Sequence, residues 1–153
     1  MRTVKDIIES KPKPSNVIRP TALVIDALHL LDAVNLSYLV VMEGTTYKGI
    51  FSERDYSRNV LLKGRTSNSA MVMDVMTIDL PEVTLTDTVE YCMDLITRHK
   101  ARYLVAFTGK QFEGVITIHD LLRQVIANRE NVFDDALTQQ LIDTAESGGS
   151  RIY

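Results

Sequence analysis

In some stretches of this chain the apolar residues recur with a helical period, and in others they form short continuous runs. The same order of helical and continuous stretches occurs twice along the chain. Residues 21–35 and 86–100 place their apolar side chains three and four apart, which predicts one amphipathic helix in each half. Each helix is followed by a nearly continuous apolar run, a turn that contains glycine and a second apolar run, which together predict two paired strands. The order predicted for each half is helix, strand, helix, strand, strand, helix.

The predicted elements of the first half are a short helix over 4–9, an extended segment over 16–19, a helix over 21–35, strands over 37–42 and 47–51, and a helix over 52–64. Those of the second half are 72–76, 80–84, 86–100, 102–107, 111–116 and 117–128. Thr21 is the predicted N-cap of the first long helix, and Asp87 with Glu90 resembles a capping box for the second. Gly64 is the predicted end of the helix that follows Ser52. A further short amphipathic helix is predicted over 132–143, before the flexible segment 147–150.

A seven-residue motif shows that the chain is a duplication. Gly49 to Asp55 has the order glycine, two apolar residues, a hydroxyl residue, two variable positions and aspartate, and Gly114 to Asp120 repeats it 65 residues later. The two halves align without a gap from residue 21 over 86 to residue 62 over 127. The opening segments align at an offset of 68, so the extra length falls in residues 9–14, a loop by composition. We therefore expect the function to lie where the two halves meet.

Composition and charge narrow the classes of function. At 153 residues and 45% hydrophobic residues, the chain is an ordinary globular protein in composition, and no apolar run approaches the ~20 residues of a membrane span. The absence of an apolar signal core at the N-terminus predicts a cytoplasmic protein. A net charge of −3 gives no basic field for wrapping nucleic acid. Cys92 is the only cysteine, which excludes an internal disulfide and a cysteine-based metal cluster and favours a buried, inert thiol over a reactive one.

The repeated motif allows a structural and a functional interpretation. A hydroxyl residue at the start of a helix with aspartate three positions later can simply cap that helix. Capping does not require the preceding glycine, which instead leaves room for another backbone or a ligand to approach. The functional interpretation is that the helix N-terminus suits a phosphate, while the carboxylate accepts hydrogen bonds from the vicinal hydroxyls of a ribose.

The repeat resembles the cystathionine-β-synthase (CBS) domain, and two in tandem resemble a CBS pair, or Bateman module. Both copies of the motif carry the resemblance, together with the segment Val-x-Asp-Val-Met-Thr (residues 72–77) and the strand sequence Arg-Tyr-Leu-Val (residues 102–105). The stretch 49–64 is also similar to stand-alone bacterial CBS-pair proteins of signal transduction. The resemblance covers residues from about 4 to 128.

The resemblance implies an α/β (α+β) fold of two small units related by pseudo-twofold symmetry, each a small sheet flanked by helices. We expect CBS repeats over 4–64 and 72–128, a linker over 65–71, and a C-terminal helix and flexible tail over 129–153. The implied function is a non-enzymatic regulatory module without a required cofactor, which binds AMP, ADP, ATP, NAD or S-adenosylmethionine between the repeats. It would signal through a conformational change or a changed dimer surface, as a homodimer read by an unknown effector protein.

The resemblance also implies which residues form two clefts. Asp55 and Asp120 would hold ribose hydroxyls, and Ser52 and Thr117 would contact phosphate or ribose. The Asp55 cleft would contain Ile50, Ser52, Arg54, Asp55, Arg58, Leu80, Pro81, Ala101, Arg102 and Tyr103. The Asp120 cleft would contain Ser15, Asn16, Leu36, Ser37, Tyr38, Val115, Thr117, His119 and Asp120.

The two clefts are not expected to be equivalent. Ser37 stands where the other cleft has Arg102, and residues 11–16 replace the expected apolar strand beside Asp120. The Asp55 cleft is therefore the stronger predicted site, with Arg54, Arg58 and Arg102 as phosphate partners, although Arg58 fits a solvated helix face equally well. No metal spacing or catalytic motif is present in the sequence. A ligand sensor is the leading hypothesis, and a structural dimerisation module with vestigial clefts is the alternative.

Overall fold

The computed structural model describes residues 2–12, 14–128 and 140–144, which belong to two compact units. The first unit is formed by residues 13–79 and carries Asp55. Of the described residues, the second unit contains 2–12, 80–128 and 140–144, and it carries Asp120. The opening segment of each sequence repeat thus belongs to the unit that holds the rest of the other repeat. Helix α1 (Val4–Ser10), which opens the chain, is part of the second unit.

The first unit is built on a three-stranded sheet of order β1-β2-β3, in which β1 and β2 are parallel and β2 and β3 are antiparallel. Its elements are β1 (Val17–Ile18), α2 (Val24–Val34), β2 (Tyr38–Glu43), β3 (Thr46–Ser52), α3 (Glu53–Asp55), a π-helix (Tyr56–Leu61) and a 3₁₀ turn (Val72–Asp74). The apolar side of α2 packs with β2, Phe51 of β3 and the 3₁₀ turn into one core.

The second unit repeats this sheet in the order β4-β5-β6, with the same parallel and antiparallel pairings. Its elements after α1 are β4 (Glu82–Val83), α4 (Val89–His99), β5 (Tyr103–Thr108), β6 (Gln111–Thr117) and α5 (Ile118–Asn128). Val4 and Ile7 of α1 are buried in its core together with residues of α4, α5 and the sheet. Residues 140–144 are helical, and Leu141 is also buried in that core.

The duplication extends to an irregularity of the sheets. The register between β2 and β3 shifts between Val41 and Met42, and the register between β5 and β6 shifts between Ala106 and Phe107, 65 residues later. The predicted order of elements and the mixed α and β fold class are confirmed, with a short 3₁₀ turn in place of the opening helix of the second repeat. Cys92 is fully buried, and burial raises the pKa of its thiol to about 12, so the thiol stays protonated near neutral pH.

Two predicted N-caps were wrong. Helix α2 begins after Leu23 rather than Thr21, because Leu23 pairs with Met71 in an isolated bridge and remains extended. Helix α4 is capped by Thr88, whose hydroxyl accepts a hydrogen bond from the Tyr91 amide. The carboxylate of Asp87 instead accepts the Thr84 amide hydrogen at 2.8 Å, within the turn before the helix.

The helix predicted over 52–64 is present, and Gly64 after it is left-handed with a φ of +70°, but the helix is not α-helical throughout. Ser52 caps the α-helical turn α3, but from Tyr56 to Leu61 the chain forms a π-helix, with the Leu62 amide donating to the Ser57 carbonyl at 3.1 Å. The equivalent residues of the second unit form the regular helix α5. Of the helix predicted over 132–143, residues 132–139 lie outside the described residues, as do residues 147–150.

Candidate functional site

The first copy of the motif forms a capping box at the end of β3. The Ser52 amide donates to Oδ2 of Asp55 at 2.9 Å, and the Ser52 hydroxyl donates to the same oxygen at 3.1 Å. The Asp55 amide is 3.3 Å from the Ser52 hydroxyl oxygen. The structural interpretation of the motif as a helix cap is therefore correct, and the capping hydrogen bonds occupy one of the two carboxylate oxygens.

The second oxygen of Asp55 faces a residue from the opening segment of the second repeat. Oδ1 accepts a hydrogen bond from the Thr77 hydroxyl at 2.6 Å. Asp55 is only 7% exposed, and burial raises the pKa of its carboxyl above the ordinary value although the bonds from Thr77 and Ser52 and the Arg54 charge lower it. The three donors named here, the Ser52 amide, the Ser52 hydroxyl and the Thr77 hydroxyl, are all neutral.

The second copy of the motif forms the same box at the end of β6. The Thr117 amide donates to Oδ2 of Asp120 at 2.9 Å, and the Asp120 amide donates to the Thr117 hydroxyl at 3.1 Å. Asp120 is 2% exposed, so both aspartates are buried polar groups. The capping hydrogen bonds of the two motifs are thus alike, whereas different side chains contact the two carboxylates.

Two cations contact the Asp120 carboxylate. The Lys11 ammonium lies 2.9 Å from Oδ2, and the Arg123 guanidinium donates to Oδ1. Burial raises the pKa of Asp120, but the Lys11 charge and hydrogen bond, with the Thr117 hydrogen bonds, outweigh it and hold the pKa below the ordinary value. The same motif therefore holds a carboxyl of raised pKa in the first unit and one of lowered pKa in the second.

The glycine of the motif leaves room for another segment of the same chain, which is one of the two roles predicted for it. A Cβ added at Gly49 would lie 2.8 Å from the Thr77 carbonyl oxygen and 2.9 Å from the Met76 sulfur. Gly114 has a φ of +156°, and an added Cβ would meet the Ile8 side chain at 3.4 Å. In the first unit glycine is required because the backbone that carries Thr77 passes directly over it.

The other predicted site residues of the first unit fall into a buried and an exposed group. Asn16 is buried, and its side-chain amide donates to the Tyr38 carbonyl at 3.2 Å. The Ser37 carbonyl accepts the Glu53 amide hydrogen at 3.4 Å, which ties the start of β2 to the motif. Ile50 and Tyr38 are buried, Arg54 is half-buried, and Ser15, Leu36, Ser37 and Arg58 are exposed.

Arg58 and Arg123, its equivalent in the duplication, are both exposed, but Arg123 forms an ion pair with the aspartate of its motif. In α5, Arg123 lies one helical turn from Asp120 and reaches its carboxylate. Arg58, by contrast, lies in the π-helix that follows Asp55. Among the described residues no ion pair joins Arg58 to Asp55, so a phosphate contact by Arg58 stays a prediction.

The predicted site residues of the second unit are mostly half-buried. Val115 is buried, His119 is exposed, and the Pro81 carbonyl accepts the Val105 amide hydrogen at 3.0 Å. Half-buried are Leu80, Pro81, Ala101, Arg102, Tyr103 and Thr117. The predicted Asp55 cleft combines the first unit with Leu80, Pro81 and residues 101–103, and the predicted Asp120 cleft combines the second unit with residues of the first. Both combinations stay predictions.

Sequence reasoning missed the side chains that complete each carboxylate. Thr77 belongs to the segment 72–77 that marked the resemblance, but no role was assigned to it. Lys11 lies in the segment 9–14 that we interpreted as a loop, and no role was predicted for Arg123. A signal for Lys11 existed, because the segment that holds it is where the 68-residue offset interrupts the 65-residue alignment.

The described part of the chain contains no candidate metal-ligand group and no candidate membrane-spanning helix. Among residues 2–12, 14–128 and 140–144, no three His, Cys, Asp or Glu side chains are grouped as metal ligands. No helix in those ranges is long and apolar enough to cross a membrane. The cytoplasmic location remains a prediction.

Comparison with known proteins decides the family. The model of the CBS domain matches the chain twice, over residues 4–61 and 72–127. The chain belongs to the CBS-domain family. CBS pairs are generally regulatory, non-catalytic modules, and no enzyme family is indicated for this one.

Among its relatives, the mitochondrial CBS domain-containing protein CBSX3 of Arabidopsis thaliana is 30% identical over 133 residues. That match covers 81% of this CBS pair and 65% of the relative, so the pair spans about two thirds of the relative's length. A CBS-domain protein from Burkholderia ambifaria is 32% identical, with a TM-score of 0.75 over 86% of this chain and 99% of the other. CBSX2 in complex with AMP is 25% identical, with a TM-score of 0.69 over 85% and 100% of the two chains.

Proposed function

We propose that this CBS pair is a sensor that binds an adenosine nucleotide at the Asp55 motif and transmits binding as a conformational or dimer-surface change. The proposal rests on the Asp55 carboxylate, which is 7% exposed and accepts a hydrogen bond at one of its oxygens from the neutral Thr77 hydroxyl. A ribose hydroxyl can replace that hydroxyl at equal charge. The AMP bound to CBSX2 supports an adenosine ligand of this kind.

The π-helix supports the choice of the Asp55 motif. It begins directly after Asp55, whereas the second unit has the regular helix α5 at the equivalent place. π-helical turns are rare and frequently occur at functional sites. The half-buried Arg54, adjacent to Asp55, is the proposed phosphate partner from this unit.

The test is a thermal-shift series with AMP, ADP, ATP, NAD and S-adenosylmethionine, with GMP as the control for the base. A ligand at a hundredfold excess over its Kd stabilises the folded state by about 2.7 kcal/mol, which raises Tm by roughly 5 to 10 °C. A rise with one adenine ligand supports the sensor and names its signal. A flat response across the series rules the sensor out.

The ribose assignment is tested by Asp55→Asn, which keeps an acceptor for the Ser52 amide but removes the charge. We expect at least a tenfold loss of affinity, because a hydrogen bond to a charged group contributes about 1.5–3 kcal/mol. Asp26→Ala, at an exposed aspartate in the first turn of α2, is the matched control and should bind normally. Unchanged affinity in Asp55→Asn would show that the carboxylate does not hold the ligand.

Two exposed apolar side chains favour a homodimer, the form also required by the alternative of a structural dimerisation module. Leu61 is 58% exposed and Ile126 is 72% exposed, and they are equivalent residues of the duplication on the last helix of each repeat. Leu61→Glu combined with Ile126→Glu should convert a dimer to a monomer in analytical ultracentrifugation. Ile78→Glu, at a residue 70% exposed outside the helices, is the control.

A further inference from the structure

Thr77 is fixed against the Asp55 motif by its backbone as well as by its hydroxyl. Its amide donates to the Ile50 carbonyl at 2.8 Å, and its carbonyl accepts the Ile50 amide hydrogen at 2.9 Å, so the two residues form an antiparallel bridge. The Thr77 carbonyl packs over Gly49, where an added Cβ would lie only 2.8 Å from its oxygen. Because a β-branched side chain has few χ1 rotamers, this fixed backbone also restricts the position of the hydroxyl.

This short, restrained side chain holds the carboxylate oxygen that the helix cap does not use. Oδ2 of Asp55 accepts from the Ser52 amide and hydroxyl, whereas Oδ1 accepts from the Thr77 hydroxyl at 2.6 Å. A separation of about 2.5–2.7 Å is typical of the strong bonds between a hydroxyl and a carboxylate. With both oxygens held, the carboxylate cannot rotate without losing a hydrogen bond, so its orientation is fixed.

The same oxygen of Asp120 has a different kind of partner. The segment before the second unit's crossover reaches Oδ2 there, through Lys11, and Oδ1 accepts instead from Arg123 on the helix of the motif itself. The Arg123 side chain is 68% exposed, and exposed ion pairs hold their partners weakly. Oδ1 is therefore held more firmly at Asp55 than at Asp120.

A ribose hydroxyl can meet Oδ1 of Asp55 in two ways. It can take the place of the Thr77 hydroxyl or join it, because a carboxylate oxygen offers about two acceptor positions and Thr77 takes one. Replacement exchanges one neutral hydroxyl for another and gains no hydrogen bond, whereas joining adds a hydrogen bond to an acceptor that is already in place. Groups that are held in position before the ligand arrives also cost less to order on binding. Joining is therefore the favoured arrangement.

We propose that Thr77 is a positioning residue for ribose, whose hydroxyl stays on Oδ1 of Asp55 and holds the remaining acceptor position of that oxygen ready for a ribose hydroxyl. The proposal rests on the proposed function and adds to the first motif a residue from the opening segment of the second repeat. The part of the ligand that it concerns is the ribose diol, and neither the base nor the phosphate enters it.

The test compares AMP with 2′,3′-dideoxy-AMP, which lacks both ribose hydroxyls, by isothermal titration calorimetry. Wild type should bind AMP at least about tenfold more tightly, because a hydrogen bond to a charged acceptor is lost with the analogue. Thr77→Val should reduce that preference to about threefold or less, while its affinity for the analogue stays within about twofold of wild type. Thr77→Ser, which keeps the hydroxyl, should restore the preference. Thr46→Val, at an exposed threonine of β3 in the same unit, is the matched control.

The outcomes separate the role of Thr77 from the sensor itself. An unchanged preference in Thr77→Val, or an equal weakening of both ligands, would overturn the positioning role and leave the sensor standing. Tighter AMP binding by Thr77→Val would show that ribose replaces the hydroxyl, which also overturns it. No AMP binding by the wild type would remove the sensor and the role of Thr77 together. Thr77→Ala, a smaller variant without the hydroxyl, makes the same comparison if Thr77→Val does not fold.

Discussion

The two copies of the motif form the same capping hydrogen bonds, but the pKa of the aspartate is shifted in opposite directions in the two copies. Asp55 and Asp120 each cap a helix through one carboxylate oxygen, yet burial raises the pKa of Asp55, while Lys11 leads the interactions that lower the pKa of Asp120. The difference comes from segments outside the motif, one of which supplies Thr77 and the other Lys11. A repeated motif therefore predicts repeated geometry, but the chemistry of each copy depends on the chain that packs against it.

The largest expected difference between the motifs is in the cost of neutralising each aspartate. Asp120→Asn leaves the Lys11 ammonium without its carboxylate, and we expect a loss of about 2–4 kcal/mol in the free energy of unfolding. Asp55→Asn removes a charge that burial disfavours and keeps an acceptor for Ser52, so its cost should stay within about 1 kcal/mol. Urea unfolding of both variants at pH 7 makes the comparison, and equal losses would contradict it.

The second largest difference is expected between the stability costs of alanine substitutions at the two motif glycines. Gly49→Ala would place a methyl group against the Thr77 carbonyl, and overpacking against backbone costs about 1–3 kcal/mol. Because the same displacement moves Thr77 away from Asp55, the variant should also lose AMP affinity. Gly114→Ala meets only a flexible Ile8 side chain and costs mainly backbone strain, about 1 kcal/mol. Thermal unfolding and calorimetry measure the two effects, and a larger loss in Gly114→Ala would reverse the comparison.

A smaller effect is expected from Thr77→Val, which removes the hydroxyl at Asp55 without changing the side-chain shape. The lost hydrogen bond should cost about 1 kcal/mol of stability and raise the pKa of Asp55 further. A pH titration of the Asp55 side-chain carbon by NMR measures that pKa. Thr84→Val, which changes an exposed threonine hydroxyl of the second unit, is the control and should leave the Asp55 titration unchanged.

The smallest effect we expect is a difference in the slope of stability against pH between about pH 3 and 5. The pKa of Asp120 is lowered on folding, so its contribution is present above the unfolded pKa and is lost as pH falls through the folded value. The pKa of Asp55 is raised, so its contribution has the opposite sign and stability falls as pH rises through that range. Asp120→Asn should lose less stability on acidification than wild type, and Asp55→Asn should lose more.

Much of the fold was predictable because it follows from local patterns. The apolar spacing predicted α2 and α4, and the repeated motif predicted both capping boxes, including the hydroxyl and carboxylate that form them. The N-cap at Leu23 was missed because a long-range bridge decided it, and the N-cap at Thr88 was missed because Asp87 closes the turn before the helix. The bridge from Leu23 to Met71 and the turn closed by Asp87 each override the local preference.

Only the motif residues of the candidate site were predictable, and the side chains that contact them from distant segments were not. Ser52, Asp55, Thr117 and Asp120 follow from seven-residue patterns, but Thr77 is 22 residues from Asp55 and Lys11 is 109 residues from Asp120. No local period connects such positions. The π-helix after Asp55 has no sequence signal either, since residues 53–62 align with 118–127 without insertion.

The exchange of opening segments between the units has a consequence for dissecting the chain. A cut in the linker between residues 64 and 72 would give one fragment that holds α1 without the rest of its core, and one that holds Val72 and Val75 without α2. Each fragment would carry the missing piece of the other. Two fragments expressed together should therefore reconstitute the protein by complementation, while either one alone should remain unfolded.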